Sequence, residues 1–262
     1  MIDLCTVVFE PEVDILHLQA RSIDRYVTDI GTIYVVVNDH TSLNKIDVGQ
    51  WGRHRSRVQV LPRRLFGSTW SDNGWVSQQC IKLLTAAISS ADHCVALDAK
   101  TIVIKSWPQF RSDQQLAVGT LPVYPVFEPS RQRINQLWNI DLQRQLGPGG
   151  VPFWFVPRLV RSMISDIEHR VNHSFANWFQ NQGCITEFLL YSGWLEYQRL
   201  IDTMIAPSQL QVVNVCHSDL DIVDQKLDQM QSSHTVSIHR DAWTRLTVDQ
   251  RQRYLTLLEQ RL

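Results

Sequence analysis

Apolar positions in the first 105 residues alternate between continuous runs and helical spacing. Residues 6–9 and 32–37 are short runs rich in β-branched side chains, and helical spacing lies between them at residues 13–26. Continuous apolar runs are typical of strands in a parallel sheet that is covered on both faces. A second helical stretch, at residues 75–90, follows residue types that favour helix N-caps. This alternation predicts an α/β domain.

Two further apolar runs meet at Asp98. The first run ends at Asp98, Lys100 follows two residues later, and the second run begins directly afterwards. The run at residues 32–37 is also followed by an acid, Asp39. Ligands of open α/β sheets bind at the carboxyl ends of the strands, so we expect Asp39 and Asp98 at that edge. Asp98 either accepts hydrogen bonds from ribose hydroxyls or coordinates a divalent cation, or it caps a turn between two strands.

The remainder of the chain has a less regular pattern. Prolines and glycines interrupt residues 106–157, which predicts short strands and long loops over a site. We then expect two helices and two short strands, at residues 159–179, 187–204, 211–215 and 235–239. Thr247, followed three residues later by Gln250, is a capping-box pattern that predicts a last helix up to residue 262.

Length and composition limit the class of protein. The chain has 262 residues, of which 44% are hydrophobic and 19% charged, which excludes a disordered chain and suits one large α/β domain over residues 1–262. The formal net charge of -1 gives no basic surplus for non-specific nucleic-acid binding. Arginines crowd residues 50–65, where a solvated loop and a surface for phosphate or an anionic membrane are both open.

The sequence carries neither a membrane-spanning nor a secretory pattern. No stretch reaches the ~20 apolar residues that cross a bilayer. The first nine residues have an early acid and no basic region, so we expect a strand there and not a signal peptide. The five cysteines are scattered without metal-ligand spacing, which indicates buried thiols in a reducing cytoplasm.

Three motifs follow one another along the chain. The first, Gly-Trp-x-x-Gln-Gln-x-x-Lys-Leu, covers residues 74–83 before the strand that ends at Asp98. The second, Glu-x-x-x-Tyr-Ser-Gly, covers residues 187–193, and the third is a late strand that ends in His239. In these motifs and their order the chain resembles glycosyltransferases of the A-type fold, and in particular a group of bacterial glycosyltransferase-like proteins. The resemblance covers most of the chain.

The resemblance implies both a fold and a reaction. The fold is a single domain with a mixed, Rossmann-like sheet flanked by helices, whose residues 1–105 bind a nucleotide sugar and whose residues 106–262 form the acceptor side. The reaction is sugar transfer to a glycan or lipid-linked acceptor in surface polysaccharide synthesis, with peripheral membrane association as an option. The side chains that the resemblance implies for binding the nucleotide sugar are Asp39, Gln78, Lys82, Asp98 and His239, and we expect Lys100 to join them beside Asp98.

Lys100 departs from these enzymes, which read Asp-x-Asp at this point. Mg²⁺ and Mn²⁺ need several oxygen ligands, and lysine supplies a charge but no ligand, so Asp98 and His239 are the metal ligands that the resemblance leaves. Three outcomes are open. Lys100 replaces the metal as the counter-charge of the diphosphate, it pairs with Asp98 and redirects the site to another ligand, or the protein has lost catalysis. We favour the first, because either cation neutralises charge on a leaving diphosphate.

Glu187 is the candidate general base, because an inverting transfer needs a carboxylate to take the proton of the acceptor hydroxyl. Each site residue also has a structural interpretation, with Glu187 as a helix-start acid, Lys82 as a solvated helix lysine and His239 as a strand-end residue. Residues 217–219 read His-Ser-Asp, but a catalytic triad is not built from three adjacent residues. The rival hypothesis is a non-catalytic binding or scaffold protein with a glycosyltransferase-like fold.

Overall fold

The structure is a computed structural model that describes residues 1–39, 42–67, 69–107, 119–204 and 210–262. Its strands are β1 (Ile2–Val8), β2 (Ile30–Val37), β3 (Val58–Pro62), β4 (His93–Asp98), β5 (Ile102–Val103), β6 (Thr120–Pro122), β7 (Arg144–Leu146), β8 (Phe153–Phe155), β9 (Val212–Val215) and β10 (Thr235–Ile238). Its α-helices are α1 (Val13–Tyr26), α2 (Gly74–Ile88), α3 (Glu128–Trp138), α4 (Pro157–Val171), α5 (Phe175–Gln182), α6 (Glu187–Tyr197), α7 (Val223–Met230), α8 (Arg240–Trp243) and α9 (Val248–Arg261).

The main sheet has five strands in the order β3-β2-β1-β4-β8. The first four are parallel, and β8 runs antiparallel to β4. Every residue of β1 is buried, because helices cover both faces of the sheet, as its continuous apolar run predicts. The α/β fold with a mixed sheet flanked by helices is therefore confirmed.

The carboxyl ends of β1, β2 and β4 meet at one edge of this sheet. Val7 pairs with Asp98, and Val8 pairs with Val37. The acid at the end of β4 and the loops after β1 and β2 thus share the edge at which ligands of open α/β sheets bind.

Helix α1 holds the turn after β4 in place. Gln19 donates from Nε2 to the carbonyl oxygens of Asp98 (2.6 Å) and Thr101 (2.9 Å), and its Oε1 accepts from the hydroxyl of Thr6 (2.9 Å). Gln19 is buried, and buried polar groups that are fully bonded have one preferred arrangement. The turn that carries Asp98 is therefore set by the fold before any ligand binds.

The chain leaves the main sheet after this turn. β5 pairs antiparallel with β10, and β10 pairs parallel with β9, in a separate three-stranded sheet. The prediction of two strands around Asp98 is confirmed, but the strands belong to different sheets. Because β10 runs beside β5, its carboxyl end brings His239 to the edge at which Asp98 lies.

The predicted long helices are both broken. Residues 159–179 form α4 and α5, because Asn172 adopts a left-handed conformation (φ 53°) that ends α4. Helix α6 ends at Tyr197, and a 3₁₀ helix, Ile201–Met204, follows the left-handed Arg199 (φ 58°). Apolar spacing continues across both breaks, so it does not reveal them. By contrast, α1 has the predicted bounds, and Thr247 and Gln250 form the predicted capping box of α9.

Helix α3 lies where the sequence predicts loops. Its buried residues are Ser130, Ile134 and Trp138, so its apolar stripe is too sparse to stand out in the sequence. Pro129 suits the first turn of the helix, where a missing N–H costs nothing. Helix α3 packs closely against α6, where Ile134 faces Gly193.

Among the described residues, three large cores and a small cluster of Val7, Val36 and Ile81 support these layers. One face of the main sheet packs against α2, α4, α5 and α6, the other face packs against α1, and a third core joins the small sheet to α7 and α9. Within the described ranges, no helix has both the length and the apolar composition to cross a bilayer.

The close packing of α3 on α6 makes Gly193 sensitive to substitution. A Cβ at this position would overlap with Cγ2 of Ile134. We expect Gly193→Ala to lower the free energy of unfolding by about 1–3 kcal/mol through overpacking, although alanine favours a helix interior over glycine by about 1 kcal/mol. Urea denaturation measures the change. Gly67→Ala is the control, because its nearest neighbour would be the Trp70 ring at 3.5 Å, and an equally stable Gly193→Ala variant would refute the close packing.

Candidate functional site

A cavity of about 290 Å³ opens at the carboxyl end of β4. One face of α2, the turn after β4 and the first residues of α6 line it. The loop at residues 149–151 and the ends of β9 and β10 complete the lining. Segments that are far apart in the sequence therefore contribute to one cavity, as in ligand sites of α/β proteins.

Helix α2 brings Gln78 and Lys82 to this cavity. Asn73 caps the helix, because its Oδ1 accepts from the N–H groups of Trp75 (3.1 Å) and Val76 (3.4 Å). Gln78 and Lys82 are four residues apart and share one face of the helix. The interpretation of Lys82 as a solvated lysine is wrong, since its side chain is 3% exposed.

Five of the predicted residues form one connected polar cluster. Lys82 Nζ lies 2.8 Å from Asp98 Oδ1 and 3.1 Å from Glu187 Oε1. Lys100 Nζ lies 3.2 Å from Asp98 Oδ2. Gln78 Nε2 donates to Asp98 Oδ1 at 3.3 Å. The structure thus joins the end of β4, helix α2 and the start of α6 through charged groups, and we name these five side chains the Lys82 cluster.

Charges in the cluster offset the cost of burial. Burial alone would raise the pKa of Asp98, but the ammonium groups of Lys82 and Lys100 outweigh it and hold that pKa well below its usual range. Burial alone would lower the pKa of Lys82, but Asp98 and Glu187 raise it above its usual value. Asp98 and Lys82 are therefore both ionised at neutral pH.

Glu187 differs from Asp98 in its electrostatics. Burial raises its pKa, and the nearby Lys82 offsets this only in part. Its side chain is 1% exposed, and its Oε2 has no hydrogen-bond partner among the described residues. Its backbone N–H donates to Gln79 Oε1 at 3.2 Å, which anchors the start of α6 to α2. A carboxylate with one unpaired oxygen and a raised pKa is suited to accept a proton.

His239 and Asp39 have different surroundings. His239 lines the cavity directly after β10, and its pKa is lowered by desolvation and by the charge of Lys100, so it is neutral at neutral pH. Asp39 does not line the cavity. Its carboxylate accepts hydrogen bonds from the N–H of Ser42 (2.8 Å) and the N–H of Glu10 (2.7 Å), and so orders loops at the same sheet edge. Binding of the nucleotide sugar by Asp39 stays a prediction.

The side chains around Asp98 do not suit a divalent metal ion. Both carboxylate oxygens of Asp98 face ammonium groups, from Lys82 and from Lys100. In the part of the chain that the structure describes, no three His, Cys, Asp or Glu side chains come together as metal ligands. Mg²⁺ and Mn²⁺ require several oxygen ligands, so Asp98 and His239 do not form a fitting site.

Several lining residues have no signal in the sequence. Phe188 lies with its ring centroid 5.3 Å from Lys82 Nζ. Its position directly after Glu187 is the one sequence feature that points to it as a lining residue. Gln145 comes from β7 and is buried. Ser237 donates to Asn214 Oδ1 at 2.6 Å across β9 and β10. These residues come from distant segments, and only the packing of the three-stranded sheet and of the two-stranded β6–β7 sheet brings them to the cavity.

The comparisons with known proteins concern the fold. No protein-family model matches the chain, and no curated protein matches it in sequence. Among solved structures, the galactosyltransferase LgtC in complex with donor and acceptor sugar analogues is 12% identical, with 98% of this chain and 95% of that chain covered and a TM-score of 0.51. An active-site mutant of LgtC is 11% identical over the same shares, with a TM-score of 0.50.

A second enzyme has the same fold over part of its length. The bifunctional glycosyltransferase WbbM is 13% identical, with 90% of this chain and 45% of that chain covered and a TM-score of 0.51. The chain therefore has the fold of A-type glycosyltransferases, as its motifs predict.

The Lys82 cluster makes the stability of the protein depend on Asp98. We expect Asp98→Asn to lower the free energy of unfolding by about 3 kcal/mol at neutral pH, because the variant removes one partner of a buried ion pair. The folded state lowers the pKa of Asp98. Its contribution is therefore present above the unfolded carboxyl pKa and is lost as the pH falls through the folded one. Urea denaturation at neutral and at acid pH measures both effects.

The matched control is Asp202→Asn, which removes an exposed carboxylate paired with Arg144. This variant should change stability far less, because surface ion pairs contribute little. A deficit of Asp98→Asn that is the same at neutral and acid pH would contradict the assignment of an ionised Asp98.

Proposed function

We propose that this protein transfers a sugar from a nucleotide-sugar donor to a glycan or lipid-linked acceptor. The observation that carries the proposal is the Lys82 cluster, which lies in a cavity at the carboxyl edge of a glycosyltransferase fold. LgtC, which shares the fold, binds donor and acceptor sugar analogues, and this supports a site for two sugars here. Surface polysaccharide synthesis in the cytoplasm is the setting that the sequence motifs favour.

Lysines take the place of a metal in this proposal. Lys100 is 14% exposed at the cavity, so its ammonium group can contact the diphosphate of the nucleotide sugar. Lys82 adds a second positive charge behind Asp98. As the bond between the sugar C1 and the diphosphate oxygen breaks, negative charge grows on the leaving group, and fixed cations stabilise it. Asp98 holds both lysines in position, and Gln78 fixes the carboxylate.

Glu187 is the proposed base. A new bond forms between the acceptor oxygen and the sugar C1, and the proton of the acceptor hydroxyl passes to Oε2 of Glu187. This oxygen accepts no hydrogen bond from a described residue. Burial raises the pKa of Glu187, which brings it closer to the operating pH, as proton transfer requires. A base role for Glu187 presumes inversion at C1.

A second candidate function is a binding or scaffold protein without turnover. The pairing of both Asp98 oxygens with lysines favours it, because the same contacts that exclude a metal also stabilise the empty cavity. Measurements of nucleotide-sugar binding and of sugar transfer separate the two functions.

Nucleotide-sugar binding should not require a divalent metal. We expect a cognate nucleotide sugar at roughly 100 times its Kd to add about 2.7 kcal/mol of stability, which raises Tm by about 5–10 °C with EDTA present. Thermal-shift measurements on a panel of nucleotide sugars, with and without Mn²⁺, test this. Lys100→Ala should abolish the shift. The exposed Lys105 supplies the control, as Lys105→Ala should leave the shift unchanged. A shift that needs Mn²⁺ would overturn the role of Lys100, and no shift with any nucleotide sugar would sink the enzyme proposal.

Loss of the base should slow transfer without loss of binding. We expect Glu187→Gln to lower kcat by about 10²–10⁴-fold and to keep the thermal shift with the nucleotide sugar. Since burial raises the pKa of Glu187, wild-type activity should fall with acid at a higher pH than an ordinary glutamate allows, and the residual rate of the variant should be flat there.

The control for this variant is Glu196→Gln, in the same helix but paired with Arg144 outside the cavity. It should keep wild-type kcat and the wild-type pH profile. An acid limb that persists in Glu187→Gln would assign Glu187 to the positioning of Lys82 instead of to proton transfer.

A further inference from the structure

A second, larger cavity of about 710 Å³ lies between residues 69–71 and helix α5. It shares no lining residue with the cavity of the Lys82 cluster. Two indole rings, those of Trp70 and Trp178, line it together with carboxamide side chains and one imidazole. Among the described residues that line it there is no acid, lysine or arginine.

The walls of this cavity are fixed by internal hydrogen bonds. Gln180 of α5 accepts at Oε1 from the N–H of Ser71 and donates from Nε2 to the carbonyl oxygen of Thr69 at 3.1 Å. Trp70 donates to the carbonyl oxygen of Gly67 at 3.0 Å. Trp178 packs with its ring centroid 6.1 Å from that of Phe175. The two walls are thus held together without a ligand, which lowers the cost of ordering a ligand-binding surface.

Several polar side-chain groups on the rim of this cavity have no hydrogen-bond partner among the described residues. Asn181 and His173 are exposed at the cavity and make no side-chain hydrogen bond to the residues that the structure describes. Asn177 uses its Oδ1 to accept from the hydroxyl of Thr69 at 3.3 Å, and its amide N–H groups donate to none of the described residues. A carboxamide both donates and accepts hydrogen bonds. It can therefore pair with a sugar hydroxyl group, which also does both. An uncharged lining offers no counter-charge that would offset the desolvation of an ionic ligand.

We propose that this cavity binds a neutral oligosaccharide. The indoles of Trp70 and Trp178 line the cavity, and the flat, electron-rich face of an indole suits the C–H groups of a sugar ring. The amides of Asn177 and Asn181 pair with its hydroxyl groups. Together these groups recognise a ligand that is polar at its edge, apolar on its face and without charge.

The two cavities are lined in part by residues that are close together in the sequence. Trp70 lines the second cavity and Trp75 lines the first, and five residues of chain span at most about 18 Å. If the proposed transfer holds, a glycan acceptor that ends beside Glu187 can rest on the second cavity with its preceding sugars. This assignment of the glycan as acceptor rests on the proposed function, whereas binding of the glycan does not.

Isothermal titration calorimetry without nucleotide sugar tests the binding. The probes are neutral malto-, cello-, xylo- and chito-oligosaccharides and, as charged counterparts, heparin-derived oligosaccharides. We expect at least one neutral probe to bind the wild type and the Lys100→Ala variant equally. Asn181→Ala should weaken this binding between about twofold and tenfold, as the loss of one hydrogen bond does. Trp178→Phe, which keeps an aromatic ring in the core, should weaken it further.

The control is Gln59→Ala, which removes an exposed carboxamide from β3 and should leave binding unchanged. Three results overturn the inference. They are an absence of binding by every neutral probe, tighter binding of the charged probes, and binding that Lys100→Ala abolishes but Asn181→Ala does not. The last result places the glycan in the first cavity. None of these three results changes the thermal shift that we expect with nucleotide sugars. Failure of the glycan-binding inference can therefore be distinguished from failure of the proposed function.

Discussion

The buried ammonium group of Lys82 is the interaction on which the site depends. It contacts Asp98 at the end of β4 and Glu187 at the start of α6, two residues that are far apart in sequence. A lysine in this position would be costly if either carboxylate were absent, because an unpaired buried charge has lost its hydration. The ion pairs of Lys82 therefore connect α2 both to the end of β4 and to the start of α6, and the cavity forms where these elements meet.

The same interaction sets the charge of the cavity. Two lysines and two carboxylates balance when all are ionised, and around Asp98 itself two ammonium groups face one carboxylate. This local positive charge disfavours a divalent cation, and it is the basis of the proposed contact with the diphosphate. Burial raises the pKa of Glu187 and makes its carboxylate a stronger base. In the proposed transfer, the proton that Glu187 takes up adds positive charge to the site.

Local patterns were sufficient for much of the fold. Helix α1 has the bounds that its apolar spacing predicts, and the capping box at Thr247 opens α9. The parallel strands follow from continuous apolar runs, since covering helices bury both faces of the sheet. The missed and misjudged elements have physical reasons. Helix α3 buries too few side chains to show a period, and the breaks after α4 and α6 depend on single left-handed residues, Asn172 and Arg199, within continuous apolar spacing.

The sequence by itself determined the succession of β1, α1, β2, α2 and β4 and the identity of the groups at the end of β4, because both are local properties of the chain. It also pointed to Gln78, Lys82 and Glu187 through motifs. Only the tertiary structure decided that Lys82 is buried between two carboxylates, that the carboxylate of Asp39 is engaged by neighbouring backbone N–H groups and that Asp98 faces two lysines. Those outcomes depend on how helices dock on the sheet, and docking brings together residues that sequence spacing does not relate.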